Sequence, residues 1–156
     1  MNEQEVLSRF DTIWARVQPE HTAQPAQDDA AILREMIDQT AAAVNVLCVT
    51  AGKAPCRAAQ LRSLSCARKV MLRQLQGAYY LLTGERHEPG ATCAVRHESA
   101  ACLRCLWLNG RSQIASARAR AAQTQEPLLQ TLYVEYADLL DEQSAALQAI
   151  VCALVE

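Results

Sequence analysis

The sequence predicts an all-α protein, a four-helix bundle built from two helical hairpins. Three observations carry that reading. Aromatic residues make up only 4% of the chain and alanine is abundant, which favours helix over the β-branched and aromatic composition of strands. Apolar residues recur at spacings of three and four along four long segments. Short breaks rich in glycine, proline and polar residues separate those segments, and no useful stretch alternates like a strand. The chain has 156 residues, of which 51% are apolar, so one domain with a buried core is expected and the composition argues against disorder.

Each element has its own signal. Residues 1–18 read as a short amphipathic helix, with Val6, Phe10, Ile13, Trp14 and Val17 on one face. Residues 19–29, polar and interrupted by Pro19 and Pro25, read as a linker that ends in Asp28 or Asp29 as a helix cap. The bundle proper is expected over 30–155. Its first helix covers about 30–50, with Ile32, Met36, Ala43, Val46 and Leu47 inward, and Gly52 suits its C-terminal position. Its second covers about 55–82, with Leu61, Leu64, Met71, Leu75, Tyr79 and Leu82 in one stripe. The stretch from Thr83 to Gly90 breaks the pattern and could begin a longer crossover. The third helix covers about 93–122, with Cys102, Leu106, Ile114 and Ala117 on one side. Gly110 in its middle predicts a kink or a close helix approach, because glycine costs about 1 kcal/mol there relative to alanine. The fourth covers about 127–155, with Leu129, Leu132, Tyr133, Tyr136, Leu140, Leu147, Ile150 and Leu154 aligned.

Charge and cysteine content narrow the function classes. A formal charge of −2 implies neither a nucleic-acid nor a membrane partner. The longest uncharged run, Gln39 to Gly52, is fourteen residues and too short to span a bilayer. The charged N-terminus has no apolar signal segment, so seven cysteines are expected as free, buried thiols in a reducing cytoplasm. Cys102 and Cys105 form a CxxC near Cys93 and His97, a spacing that zinc can use. With no second CxxC, these cysteines read instead as small apolar side chains in a helix interface. His21 and His87 fall in loops and are expected in solvent, and the four tyrosines at core or core-edge positions. Arg111, Arg118 and Arg120 read as the wetted face of the third helix.

Two phrases point further. YYLLTGERHEP closes the first hairpin and LYVEYADLL lies in the last helix. Together with the two-hairpin layout they resemble the rubrerythrin branch of the ferritin-like superfamily, over about residues 28–155. The resemblance implies a ferritin-like bundle and a bacterial cytoplasmic protein. In that family, one glutamate from the first helix of each hairpin and a Glu-x-x-His pair from the second enclose two irons. The pair of metals then reacts with oxygen or peroxide.

Carried onto this chain, those ligand positions fall at Gln39 or within one residue of it, at Arg68 and Met71, near Ser112 or Gln113, and at Leu140 and Gln143. A guanidinium has no lone pair for a metal, and a thioether is a poor partner for ferric iron. Glu142 is the tempting match in the last helix, but it lies about 120° from the apolar stripe, and Gln143 takes the inward place. No Glu-x-x-His occurs anywhere in the chain, a statement independent of alignment.

The expected function is therefore a non-catalytic ferritin-like bundle, a structural or protein-interaction module without catalytic residues, cofactor or metal. Its expected partners are a second copy of the chain or another protein. The alternative is a metalloprotein that keeps oxygen, peroxide or iron handling with iron or manganese in a remodelled site, drawing on Glu98, His97 or cysteine. In the bundle centre, Arg68 is expected either to reach Gln39 and Gln143, with Ser112 or Gln113 completing a polar plug, or to reach solvent from the stripe edge. An alanine-rich core could also leave a small-ligand pocket there.

Overall fold

The computed structural model describes residues 23–90 and 98–156. Four helices make up the fold: α1 (Ala23–Lys53), α2 (Ala58–Thr83), α3 (Ser99–Gln123) and α4 (Pro127–Val155). A single 3-10 turn, Pro55–Arg57, joins α1 to α2. No strand occurs among the described residues.

The first helix begins earlier than its sequence pattern suggests. Residues 23–29, read as linker, are its first two turns. Pro25 sits within the first turn, where a missing N–H removes no intrahelical hydrogen bond. Asp29 is therefore inside the helix, and caps nothing. Gly52 is also helical, since Gly84 is the only glycine with positive φ among the described residues. Pro55 instead opens the turn that follows α1. The amphipathic segment 1–18 and the rest of the linker, 19–22, lie outside the described residues, as do 91–97 with the expected start of the third helix.

The apolar core lies in two clusters stacked along the bundle axis. One holds Leu33, Ile37, Leu75, Tyr79, Ile114, Leu129, Tyr133 and Leu140 among its members. The other holds Leu47, Ala51, Leu61, Leu103, Leu147 and Ile150. The first cluster thus collects the start of α1, the end of α2, the end of α3 and the start of α4; the second collects the opposite ends. It follows that α2 and α3 point the same way, with the end of α2 and the start of α3 at opposite ends of the bundle. Within each hairpin the helices pack closely along their length, while the two hairpins meet more sparsely.

The crossover starts with a fixed corner. Gly84 adopts φ 74° and its N–H bonds the Tyr80 carbonyl at 2.8 Å, the left-handed stop that favours glycine. His87 then lies 19% exposed with Nε2 2.8 Å from Asp38 on α1, its ring 5.8 Å from that of Tyr79. His87 is thus pinned to the bundle surface, contrary to the solvated loop that its neighbours in sequence suggest.

Gly77 within α2 and Gly84 just after its end respond oppositely to alanine. Gly77 is exposed and helical with nothing within 4 Å of an added Cβ, so Gly77→Ala gains about 1 kcal/mol. Gly84→Ala forces a Cβ into the left-handed region and loses about 1 kcal/mol. Urea unfolding of the two variants measures both.

Candidate functional site

The boundary between the two core clusters is polar. Arg68 on α2 is only 2% exposed, and its Nε donates to Gln143 Oε1 on α4 at 2.7 Å. Gln143, 3% exposed, uses its Nε2 to donate to the Leu64 carbonyl at 3.2 Å. The amide therefore ties the guanidinium to the backbone of its own helix. Among the described residues no carboxylate pairs with Arg68. Burial pushes the guanidinium pKa down from its ordinary value, with a smaller opposing effect from Tyr136. The group still stays charged at any ordinary pH.

Tyr136 continues the polar layer about two turns of α4 toward the α1 start. Its hydroxyl donates to Gln113 Oε1 at 3.2 Å. Burial raises its pKa; Thr40 and Arg68 oppose that shift. Thr40, 2% exposed, donates its hydroxyl to the Met36 carbonyl at 2.7 Å.

The expected centre is thus partly assembled. Arg68 and Gln143 meet directly, Met71 and Leu140 are buried beside them, and Gln113 joins through Tyr136. Gln39 does not join. Its Nε2 donates to the exposed Glu35 at 2.8 Å, and Thr40 takes the inward place one residue on. Ser112 is exposed and contributes nothing to the layer. Arg68 does not reach solvent from the stripe edge. Gly110 faces inward at this level without a close approach, since nothing lies within 4 Å of an added Cβ.

A second buried polar cluster was not legible from the sequence. Asp29, 5% exposed, accepts from Arg120 Nε at 2.8 Å, Tyr133 Oη at 2.9 Å and Thr124 Oγ1 at 3.4 Å. Three elements of the chain, α1, the end of α3 and α4, are fastened there. Arg120 is half-buried in this cluster rather than part of a wetted face, while Arg118 pairs with Asp141 in the open. Burial, together with the bond to Asp29, holds the Tyr133 hydroxyl well above its ordinary pKa. Tyr80, by contrast, is 51% exposed and belongs to no core.

The cysteines depart furthest from expectation. Cys48, Cys56, Cys66, Cys105 and Cys152 are exposed and Cys102 is half-buried, and of these only Cys48 is shown reaching across a helix interface, its Sγ 3.1 Å from the Oγ of buried Ser65. A small side chain near the edge of a helix face is enough to reverse the expected burial. Cys93, His21 and His97 lie outside the described residues. Glu98 sits at the start of α3 beside Lys53 and Pro55, away from the Arg68 layer. Among the described residues no group of three or more His, Cys, Asp or Glu is placed to hold a metal ion. None of their helices is long and apolar enough to cross a membrane.

Comparison with models of known families, with curated proteins and with solved structures finds no match to this chain.

The central pair has a measurable signature. Gln143→Leu leaves the buried cation without its acceptor and should cost about 3 kcal/mol; Arg68→Met should cost about 1 kcal/mol, because Gln143 keeps its bond to Leu64. The double variant should recover most of the wild-type stability in urea unfolding, a strongly non-additive cycle.

The Asp29 cluster sets an alkaline limit. The raised folded-state pKa of Tyr133 favours folding while the hydroxyl stays protonated. That contribution is complete below the ordinary tyrosine value near 10 and is lost as pH rises from there through the folded value. Unfolding free energy should therefore fall with rising pH above about 10, and Tyr133→Phe should flatten that dependence.

Proposed function

We propose that this chain is a non-catalytic helical bundle that works as a protein-interaction module, a ferritin-like scaffold whose ligand positions have been refilled. Support for the scaffold comes from the crossover between parallel α2 and α3, the connection that one-crossover bundles use. Further support comes from the Arg68–Gln143 bond, which sets a metal-repelling cation where the resemblance places a ligand pair.

The interaction surface is the outer face of α2, and its exposed stripe is the observation that carries the reading. Val70 is 57% exposed and Leu81 74% exposed, and both lie in line with Cys66 and Gly77. Arg62, Lys69 and Arg73 flank that line, and α2 contains no acidic residue. A partner helix suited to it is apolar along one face with acidic flanks. Residues 1–18 of this chain offer such an apolar face in Val6, Phe10, Ile13 and Trp14, bordered by Glu3, Glu5 and Asp11 and also by Arg9 and Arg16.

Reach and direction agree. As a helix, residues 2–18 would extend about 25 Å, and the step from Val70 to Leu81 is about 17 Å. The intervening residues 19–22 span at most about 14 Å and lead into α1 at the end of the bundle where α2 stops. Residues 1–18 dock there, from the same chain or from a second copy.

Trp14 reports this docking in the full chain. With Trp107→Phe, Trp14 is the sole tryptophan, and its emission should be blue-shifted and poorly quenched by acrylamide. Val70→Asp with Leu81→Asp should move it to the fully solvated position with helix content unchanged. Light scattering assigns the contact to one chain or to two. Solvated emission before those substitutions, or emission that they leave unmoved, contradicts the reading.

A further inference from the structure

Charge is sorted by helix in this bundle. Helix α3 carries four arginines and no acidic residue, and α4 carries four acidic residues and neither lysine nor arginine. The two pack side by side along their length in opposite directions. One of the arginines is already matched on the surface. Arg118 bonds Asp141 at 3.1 Å and lies 3.9 Å from Asp138, and all three side chains are exposed. Those contacts mark one outer face of the second hairpin.

The rest of that face follows from helical spacing. On α3, Leu108, Arg111, Ala115 and Arg118 recur at steps of three and four, with Ala119 one turn beyond Ala115. On α4, Val134, Asp138, Asp141 and Ala145 do the same. Every one of these residues is exposed. Leu108, 40% exposed, and Val134, 43% exposed, are the large apolar groups among them. Among the described residues Arg111 meets no carboxylate; its guanidinium stands 5.2 Å from the centre of the Trp107 ring.

The register between the two helices is fixed where Arg120 and Tyr133 both bond Asp29. With that pair level, each residue back along α3 matches one residue forward along α4. Ala119 is then level with Val134, and Leu108 with Ala145. Arg111 falls within one residue of the height of Asp141. Each large apolar group thus stands level with an alanine of the other helix, and the unmatched cation stands level with acid.

We propose that this face is the contact between two copies of the chain, related by a twofold axis parallel to the helices. Such an axis keeps every residue at its own height and lays α3 of one copy along α4 of the other. Leu108 then packs on Ala145 of the second copy, Val134 packs on its Ala119, and Arg111 meets its Asp138 and Asp141. Large side chains set against alanines let helices approach closely. An axis across the helices would instead lay arginine on arginine and acid on acid, so charge selects the parallel one. This face is distinct from the α2 stripe, and the two readings fail separately.

Sedimentation velocity of the full chain over a range of concentrations tests the assignment. The wild type should sediment as a dimer that dissociates on dilution. Leu108→Asp with Val134→Asp should sediment as a monomer with helix content unchanged. Arg111→Asp, an exposed change that leaves the core intact, should weaken the dimer about tenfold or more, because symmetry repeats the like-charge contact. Adding Asp141→Arg should restore it, since the swap rebuilds opposite charges across the contact. A wild-type chain that stays monomeric at the highest concentration overturns the proposal. So does a dimer that survives Leu108→Asp with Val134→Asp, one that the charge swap fails to rescue, or one that Val70→Asp with Leu81→Asp dissolves instead.

Discussion

A guanidinium buried half-way along a helical bundle is the constraint around which the rest of this structure is arranged. Arg68 cannot face water without turning α2 away from the core, and it cannot sit in hydrocarbon unaided. Gln143 resolves part of the conflict by giving Nε an acceptor and anchoring its own amide on the Leu64 carbonyl. That single bond links the two hairpins through the layer where their apolar contacts stop. The division of the core into two clusters follows from it, because no aliphatic side chain can occupy the place of the charged group.

The ends of the bundle obey a different logic. At the α1 start, Asp29, Arg120, Tyr133 and Thr124 form a satisfied network in which charge meets opposite charge. Removing one member of such a network leaves another buried and unpaired, so the network specifies how α1, α3 and α4 register against each other. His87 on Asp38 and the bond from Arg34 Nη2 to the Tyr79 hydroxyl, 2.8 Å, do the same at the exit of α2, closer to solvent and with weaker consequences.

Much of this was legible in the sequence where the signal is periodic. The α4 stripe was readable residue by residue, because an apolar side chain recurs on nearly every turn and helical geometry alone sets Gln143 inward and Glu142 outward. Arg68 was readable as an intruder on an apolar stripe for the same reason. What escaped was pairing across long separations. Asp29 and Arg120 are ninety-one residues apart, and each looks like surface when its own helix is read alone. The prolines before Asp29 suggested a linker, although a proline in the first turn leaves a helix intact. The one-residue difference between Gln39 and Thr40 turned the inward position by about 100°, which decides whether an amide or a hydroxyl enters the core. Cysteine exposure escaped because thiols carry too little apolar area to choose a face.

A charged guanidinium locked to an amide inside the bundle holds the middle of this fold. Proton exchange at arginine Nε measures this directly, in the 15N-resolved spectrum of the full chain with the Arg68 signal assigned by its loss in Arg68→Lys. The Arg68 Nε–H should exchange with solvent orders of magnitude more slowly than those of exposed arginines such as Arg62 and Arg73. Exchange at the rate of those exposed arginines would contradict the central claim.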